Sequence, residues 1–241
     1  MIINAKGIHY RVLNEEINQA IDAGEKEILL KNINGHRYIG CGIRSNAKID
    51  IEGVAGNDLG AFMDGLRLNV FASGQDGIGN TMSGGKIVIH GDAGDITGHS
   101  MRGGQIYVKG NAGYRIGIHM KSYQQLYPVI VVGGSVGDFA GEYMAGGLLV
   151  VLGQNGSDIA GNYIGTGMHA GMIYINGNIE DFQLGKEVKK FELADGDWQS
   201  LLPYIKEYCD LFSKDLKSFK KENFLKIIPL SHRPYGRLYA Y

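Results

Sequence analysis

The residues of this sequence that could do chemistry are its seven histidines, its two cysteines and a few closely spaced carboxylates. A metal held between repeating units would need histidines that recur at one repeat position. His90, His99, His119 and His169 fall at different positions, and no cysteine stands near them in a zinc-ligand spacing. Cys41 and Cys209 lie far apart, form no CxxC motif, and suit a reducing cytoplasm better than an oxidising compartment. Asp92 with Asp95, and Asp138 with Glu142, could line a cleft as acid–base pairs, but along a solenoid they read first as solvated outer faces. There is no GxSxG elbow and no HExxH helix. No catalytic, cofactor-binding or metal-ligating residue is therefore expected in this chain.

Glycine-rich strings are the remaining chemical signal. Phosphate cradles need such a string between a strand and a helix N-terminus, where unpaired amides point at the anion. Here the strings recur without a helix behind them, so they read as corners. The element that repeats them is plain. SGGKIVIHGDAGDITGHSM starts at Ser83 and RGGQIYVKGNAGYRIGIHM at Arg102, an offset of 19 residues with no gap. Earlier copies start near Ser45 and Asp64, and later ones contain PVIVVGGSVGDFAGEYM, GGLLVVLGQNGSDIAG and AGMIYINGN. Two copies carry five extra residues, one near Lys121 to Tyr127 and one within Gln154 to Thr166.

Each repeat position keeps one chemical type. Lys48-Ile49-Asp50-Ile51-Glu52 alternates with the period of a half-buried strand. The same phase places Leu68 and Val70, Ile87 and Ile89, Ile106 and Val108, Ile130 and Val132, Leu149 and Val151, and Ile173 and Ile175 in an interior column pair. A corner glycine follows at Gly53, Gly91, Gly110, Gly134, Gly153 and Gly177, and only Ala72 breaks that column. A second column runs through Gly60, Gly79, Gly98, Gly117 and Gly141. Six of the eight methionines share one phase: Met63, Met82, Met101, Met120, Met144 and Met168. One flexible thioether per rung is what an irregular core corner takes, against the alternative of a soft-metal stripe. The fold predicted is all-β: a single-stranded right-handed parallel β-helix of about seven 19-residue rungs, with helical caps at both ends. Seven rungs stacked about 4.8 Å apart give a rod on the order of 34 Å long.

The ends of such a rod need covers. Residues 1–26 form an N-terminal cap with a short helix over Asn14 to Ala23, whose Val12, Leu13, Ile17, Ala20 and Ile21 share a face. Residues 27–180 form the solenoid, with 27–42 as an irregular first rung. Residues 181–241 form a C-terminal helical cap and tail. There a helix is expected from near Trp198, with Asp195 or Asp197 capping it and Leu201, Leu202, Ile205, Tyr208, Cys209 and Phe212 on one face. Pro203 fits it only in the first turn. The basic segment after it reads as a second helix and then an extended end, or as an arm for a partner.

Composition agrees with a compact β structure. Glycine contributes 38 of 241 residues, against a usual share of about 7 %. With 44 % hydrophobic residues the chain is too apolar for disorder, and with Gly off any three-residue period it is not collagen. A formal charge of −1 gives no reason to expect nucleic acid. The N-terminus lacks the pattern of a signal peptide and no apolar run is long enough for a membrane helix, so a cytoplasmic protein is expected. Outward residues such as Tyr107 and Tyr174 offer faces on which two rods would pair into a homo-oligomer.

One segment stands outside the repeat, Asn34-Gly35-His36-Arg37-Tyr38-Ile39-Gly40-Cys41-Gly42. Its crowding of polar and aromatic side chains in a glycine-rich turn reads either as closure of the first rung or as a partner contact through Asn34, His36, Arg37 and Tyr38. With Ala5-Lys6-Gly7-Ile8-His9-Tyr10-Arg11, GQDGIGNTMSGGKIVIHGDAGDITG and MRGGQIYVKGNAGYRIGIHMK, it resembles the C-terminal GXGXG domain of the glutamate synthase large subunit, over about residues 3 to 185. The repeats alone also resemble a subunit of formylmethanofuran dehydrogenase; the non-repeat N-terminal segment favours glutamate synthase. The resemblance implies a structural subunit that packs catalytic partners together. Those partners would be an amidotransferase chain that frees ammonia from glutamine, and a synthase chain carrying FMN and iron–sulfur clusters.

Overall fold

The computed structural model describes residues 1–154, 156 and 158–232. The elements in chain order are β1 (Ile2–Asn4), α1 (Tyr10–Asp22), β2 (Glu27–His36), β3 (Lys48–Ala55), β4 (Arg67–Val70), β5 (Lys86–Ile89) and β6 (Gln105–Val108). They continue with β7 (Val129–Val132), β8 (Ala145–Val151), β9 (Ala170–Asn176), β10 (Val188–Glu192), α2 (Asp195–Phe212) and β11 (Phe224–Pro229). All eleven strands belong to one sheet, ordered β1 to β9 and then β11 and β10. β1 to β9 are parallel, and each full rung sets one strand on the next: Ile49 pairs with Leu68, Leu68 with Ile87, and so on to Ile173. The chain is thus a parallel β-solenoid. The irregularity of the first rung is real, because β2 meets β3 with register shifts between Leu30 and Ile33 and between Asn34 and His36.

The interior columns and all six methionines of the ladder are fully buried in one continuous core. The second glycine column is needed twice over. Gly98 has φ +74, and a Cβ there would stand 2.2 Å from Ile130 Cδ1. Sequence reading did not foresee that the positions two residues to either side are left-handed as well. Glycine fills them in some rungs, but Ile96 and Ser100, Arg115 and His119, and Phe139 and Tyr143 fill them in others.

The ends differ from expectation in four places. α1 starts at Tyr10, four residues before Asn14, and buries Leu13, Ile17 and Ala20 while Val12 stays exposed. α2 starts at Asp195, after Ala194, so Pro203 lies well inside it; the proline faces solvent, where the carbonyl it leaves unbonded can be hydrated. Among the described residues the basic segment forms no second α-helix, and its end beyond residue 232 lies outside them. It makes two short 3₁₀ turns and then β11, which pairs antiparallel with β9 and closes the last rung's edge. Finally, α2 does not lie across the last rung. It lies along the outer face of the sheet, where Leu201, Ile205, Tyr208 and Phe212 pack on Val88, Tyr107, Val131, Val150 and Tyr174. Tyr107 and Tyr174 are therefore buried within the chain and are not faces for pairing two rods. Among the described residues no helix is long and apolar enough to cross a membrane.

Candidate functional site

The segment that stands outside the repeat lines a cleft of about 900 Å³ at the N-terminal end of the rod. One wall is the loop Ala5 to His9, the other the bulged part of β2 from Asn32 to Asn34 with His36, and Glu52 and Gly53 form the floor. The bulge exists because Asn32 takes a left-handed backbone (φ +60) and donates through Nδ2 to Asn4 Oδ1 at 2.8 Å. His36 ties the two walls. Its Nδ1 accepts the Asn34 N–H at 3.1 Å, so the ring proton sits on Nε2, which donates to the Ile8 carbonyl at 3.0 Å.

Of the four residues singled out from sequence, Asn34 and His36 line the cleft, and Arg37 and Tyr38 sit just outside it. The Arg37 carbonyl accepts from Asn14 Nδ2 at 2.9 Å. Tyr38, left-handed at φ +62 and 40 % exposed, places its ring 5.9 Å from that of Tyr10. The cleft therefore presents amide, imidazole and carboxylate groups beside a pair of tyrosines. Among the described residues it brings together no nucleophile–base pair.

The other candidates are accounted for by the stacking of rungs. Asp92 Oδ1 accepts the Asn111 N–H at 2.7 Å, and Asp95 Oδ1 accepts the Tyr114 N–H at 2.8 Å, each one rung on. Asp138 does the same for Asn162, and Glu142 pairs with Arg115 at 3.0 Å. The three aspartates satisfy corner amides that would otherwise need water. His99 and His119 do come together, with ring centroids 6.1 Å apart, and His119 stacks on Tyr143. The His169 carbonyl accepts from His232 Nδ1. Among the described residues no group of three or more His, Cys, Asp or Glu is placed to hold a metal ion. Burial raises both the Cys41 and Cys209 thiols, which favours their protonated forms.

Sequence reasoning missed two half-buried polar contacts under α2. Tyr107 donates to Glu207 Oε2 at 2.7 Å, and Lys86 pairs with the other oxygen. Tyr174 donates to Asp197, which also binds Lys226 Nζ at 2.8 Å. Burial alone would push Asp197 up, but bonds from Lys226 and the Ala194 amide hold it below the usual carboxylate range. These contacts fix the helix to the sheet.

Parallel rungs, left-handed glycine corners and a core methionine ladder define a glycine-cornered β-solenoid. The chain belongs to the GXGXG motif family, whose model matches residues 13–230. An uncharacterized protein of Methanocaldococcus jannaschii is 45 % identical to it, over all of this chain and 96 % of that protein. A solved structure of the formyltransferase/hydrolase complex of Methylorubrum extorquens, bound to methylofuran, contains a similar chain. It has a TM-score of 0.60 at 22 % identity, over 81 % of this chain and 70 % of that one. At that identity the likeness is one of fold.

Proposed function

We propose that this chain is a structural and docking subunit of a divided glutamate synthase, with the chemistry on partner chains. The carrying observation is that Ala5–Arg11 and Asn34–Gly40, the two non-repeat segments that resemble glutamate synthase, meet in one cleft. His36 bonds to Ile8, Asn14 to Arg37, and Tyr10 lies against Tyr38. Solenoid rungs alone would need neither segment. In this reading Asn34, His36, Arg37 and Tyr38 meet a partner. An amidotransferase chain frees ammonia from glutamine. An FMN and iron–sulfur chain adds it to 2-oxoglutarate with two electrons and two protons, so that two glutamates form. The assembly is cytoplasmic.

Mixing this chain with the amidotransferase-type and FMN-binding synthase-type chains of its own organism tests the reading. A stable complex with glutamine-dependent glutamate formation is expected. Arg37→Glu should weaken assembly about tenfold by reversing a rim charge. Separate elution of the chains would overturn it. The second reading is a scaffold in a formyltransferase/hydrolase-like complex, favoured by the fold likeness to the Methylorubrum structure. It predicts assembly with partners of that type instead.

A further inference from the structure

The outer face of the sheet leaves a second cleft, of about 460 Å³, where α2 ends. That volume is in the range of small-molecule sites. Lys48, Arg67 and Lys86 are direct cross-strand neighbours on β3, β4 and β5, so three cationic side chains arise from adjacent strands along one wall. Like charges placed directly opposite destabilise a sheet unless something lies between or beside them. Lys48 has Asp50 at 2.7 Å, and Lys86 has Glu207. Arg67, between them and exposed, forms no ion pair among the described residues.

The rest of the lining is already ordered. Asn69 Nδ2 donates to Asp50 Oδ1 at 3.2 Å, and its Oδ1 accepts from His90 Nε2 at 2.9 Å. Both Asp50 oxygens are thus hydrogen-bonded, and the Lys48 ammonium offsets the Asp50 charge. Phe71, 51 % exposed, stacks on His90 with centroids 5.1 Å apart, which presents a flat apolar face. Leu211 adds apolar surface from α2, and Asp210 is the carboxylate on that side. Burial and Lys109 lower the pKa of His90, so near neutral pH it is an uncharged part of the floor.

We propose that this cleft binds a small anion, a carboxylate or phosphate monoester carrying a flat apolar group, with the anion on Arg67 and the flat group against Phe71. A guanidinium takes either anion in a two-point fork. The site is independent of the docking reading above.

Calorimetric titration of the full chain with phenyl phosphate, benzoate and inorganic phosphate tests it, and the tighter of the first two names the headgroup. Saturable one-to-one binding of at least one aromatic probe is expected, tighter than inorganic phosphate. Arg67→Gln should weaken it about tenfold or more, as loss of a charge-assisted fork does. Phe71→Ala should erase the advantage of the aromatic ring and leave inorganic phosphate unchanged. Asp210→Asn should tighten binding, because it removes a like charge. The three side chains are exposed or half-exposed, so thermal melts matching the parent check that the fold is kept. Absence of saturable binding of every probe up to about 10 mM would overturn the proposal. So would an Arg67→Gln variant that binds as the parent does, or an Asp210→Asn variant that binds more weakly.

Discussion

The outer face of one sheet is two different surfaces. From β5 to β9 its central column reads Val88, Tyr107, Val131, Val150, Tyr174, all buried beneath α2. From β2 to β4 the same column reads Leu29, Asp50, Asn69 and is only half-buried. Backbone, register and interior are shared, so the difference lies in what covers the face. The 18 residues of α2 span about 27 Å, and five strands about 4.8 Å apart span about 19 Å, so one helix is long enough to cover all five. Where the cover ends the column turns polar, and there the cation-lined cleft opens.

The largest test of this division is to loosen the cover. Tyr208 is fully buried, and its hydroxyl donates to the Lys109 carbonyl at 3.2 Å. Tyr208→Ala should cost about 3–5 kcal/mol in urea unfolding, the range for deleting a large buried ring. Asn69→Ala, on the open part, should cost under about 1 kcal/mol. Equal losses would break the comparison. Next in size is Tyr107→Phe, which leaves Glu207 with Lys86 alone. Loss of a bond to a carboxylate should cost about 1.5–3 kcal/mol by the same measurement. Burial first, and Glu207 second, raise the Tyr107 phenol far above its ordinary value, and burial likewise raises Tyr208. In an ultraviolet titration these phenols should therefore ionise only with alkaline unfolding, after the exposed tyrosines.

How much of this was legible follows from which contacts repeat. The interior columns, the glycine corners and the methionine ladder recur every rung, so period and spacing gave them away. The covered face was legible too, in a signal easily passed over. Lys48-Ile49-Asp50-Ile51 alternates, but Leu148-Leu149-Val150-Val151 does not. A strand apolar on both sides is a strand covered on both sides. Read that way, Val131, Val150 and Tyr174 call for a cover on the flank. The amphipathic helix of the tail is the segment free to supply it. The tail strands were harder. β10 and β11 each occur once, and Phe224-Leu225-Lys226-Ile227 is too short for its period to decide between helix and strand. The cleft at residues 5–9 and 32–36 was legible only as an oddity in composition. The His36 bond to Ile8 joins residues 28 apart and depends on the bulge at Asn32, which no repeat announces.

A smaller effect comes from making the open part resemble the covered part. Asn69→Val continues the apolar column by one strand beyond α2. Val suits a strand, and the lost bonds to Asp50 and His90 are partly solvated, so stability should move by less than about 1 kcal/mol. The new apolar side chain extends the Val88 column where α2 does not cover it, so light scattering at high concentration should show more self-association than in the parent. No rise would mean that α2 reaches further than its contacts indicate.

The smallest effect sits on the boundary itself. His90 is the outward residue where cover gives way to cleft, edge-on to Phe212 of α2 with centroids 5.3 Å apart. Burial first, and the Lys109 charge second, lower its pKa in the folded chain. In the unfolded chain it returns to about 6.5. Between the folded and unfolded values the unfolded chain binds more protons, so acid favours unfolding there. The contribution of neutral His90 is complete above about pH 6.5 and declines as pH falls below it. His99 shifts the same way, for burial and for the nearby His119, so the parent alone cannot isolate His90. The difference between parent and His90→Gln can, since glutamine keeps a donor for Asn69 and does not titrate. That difference in urea midpoint should shrink from pH 7.5 to pH 5.5, by less than any of the changes above because His90 is only half-buried. A difference that stays flat would mean the end of α2 does not desolvate His90, and the boundary between the two surfaces would lie nearer β6.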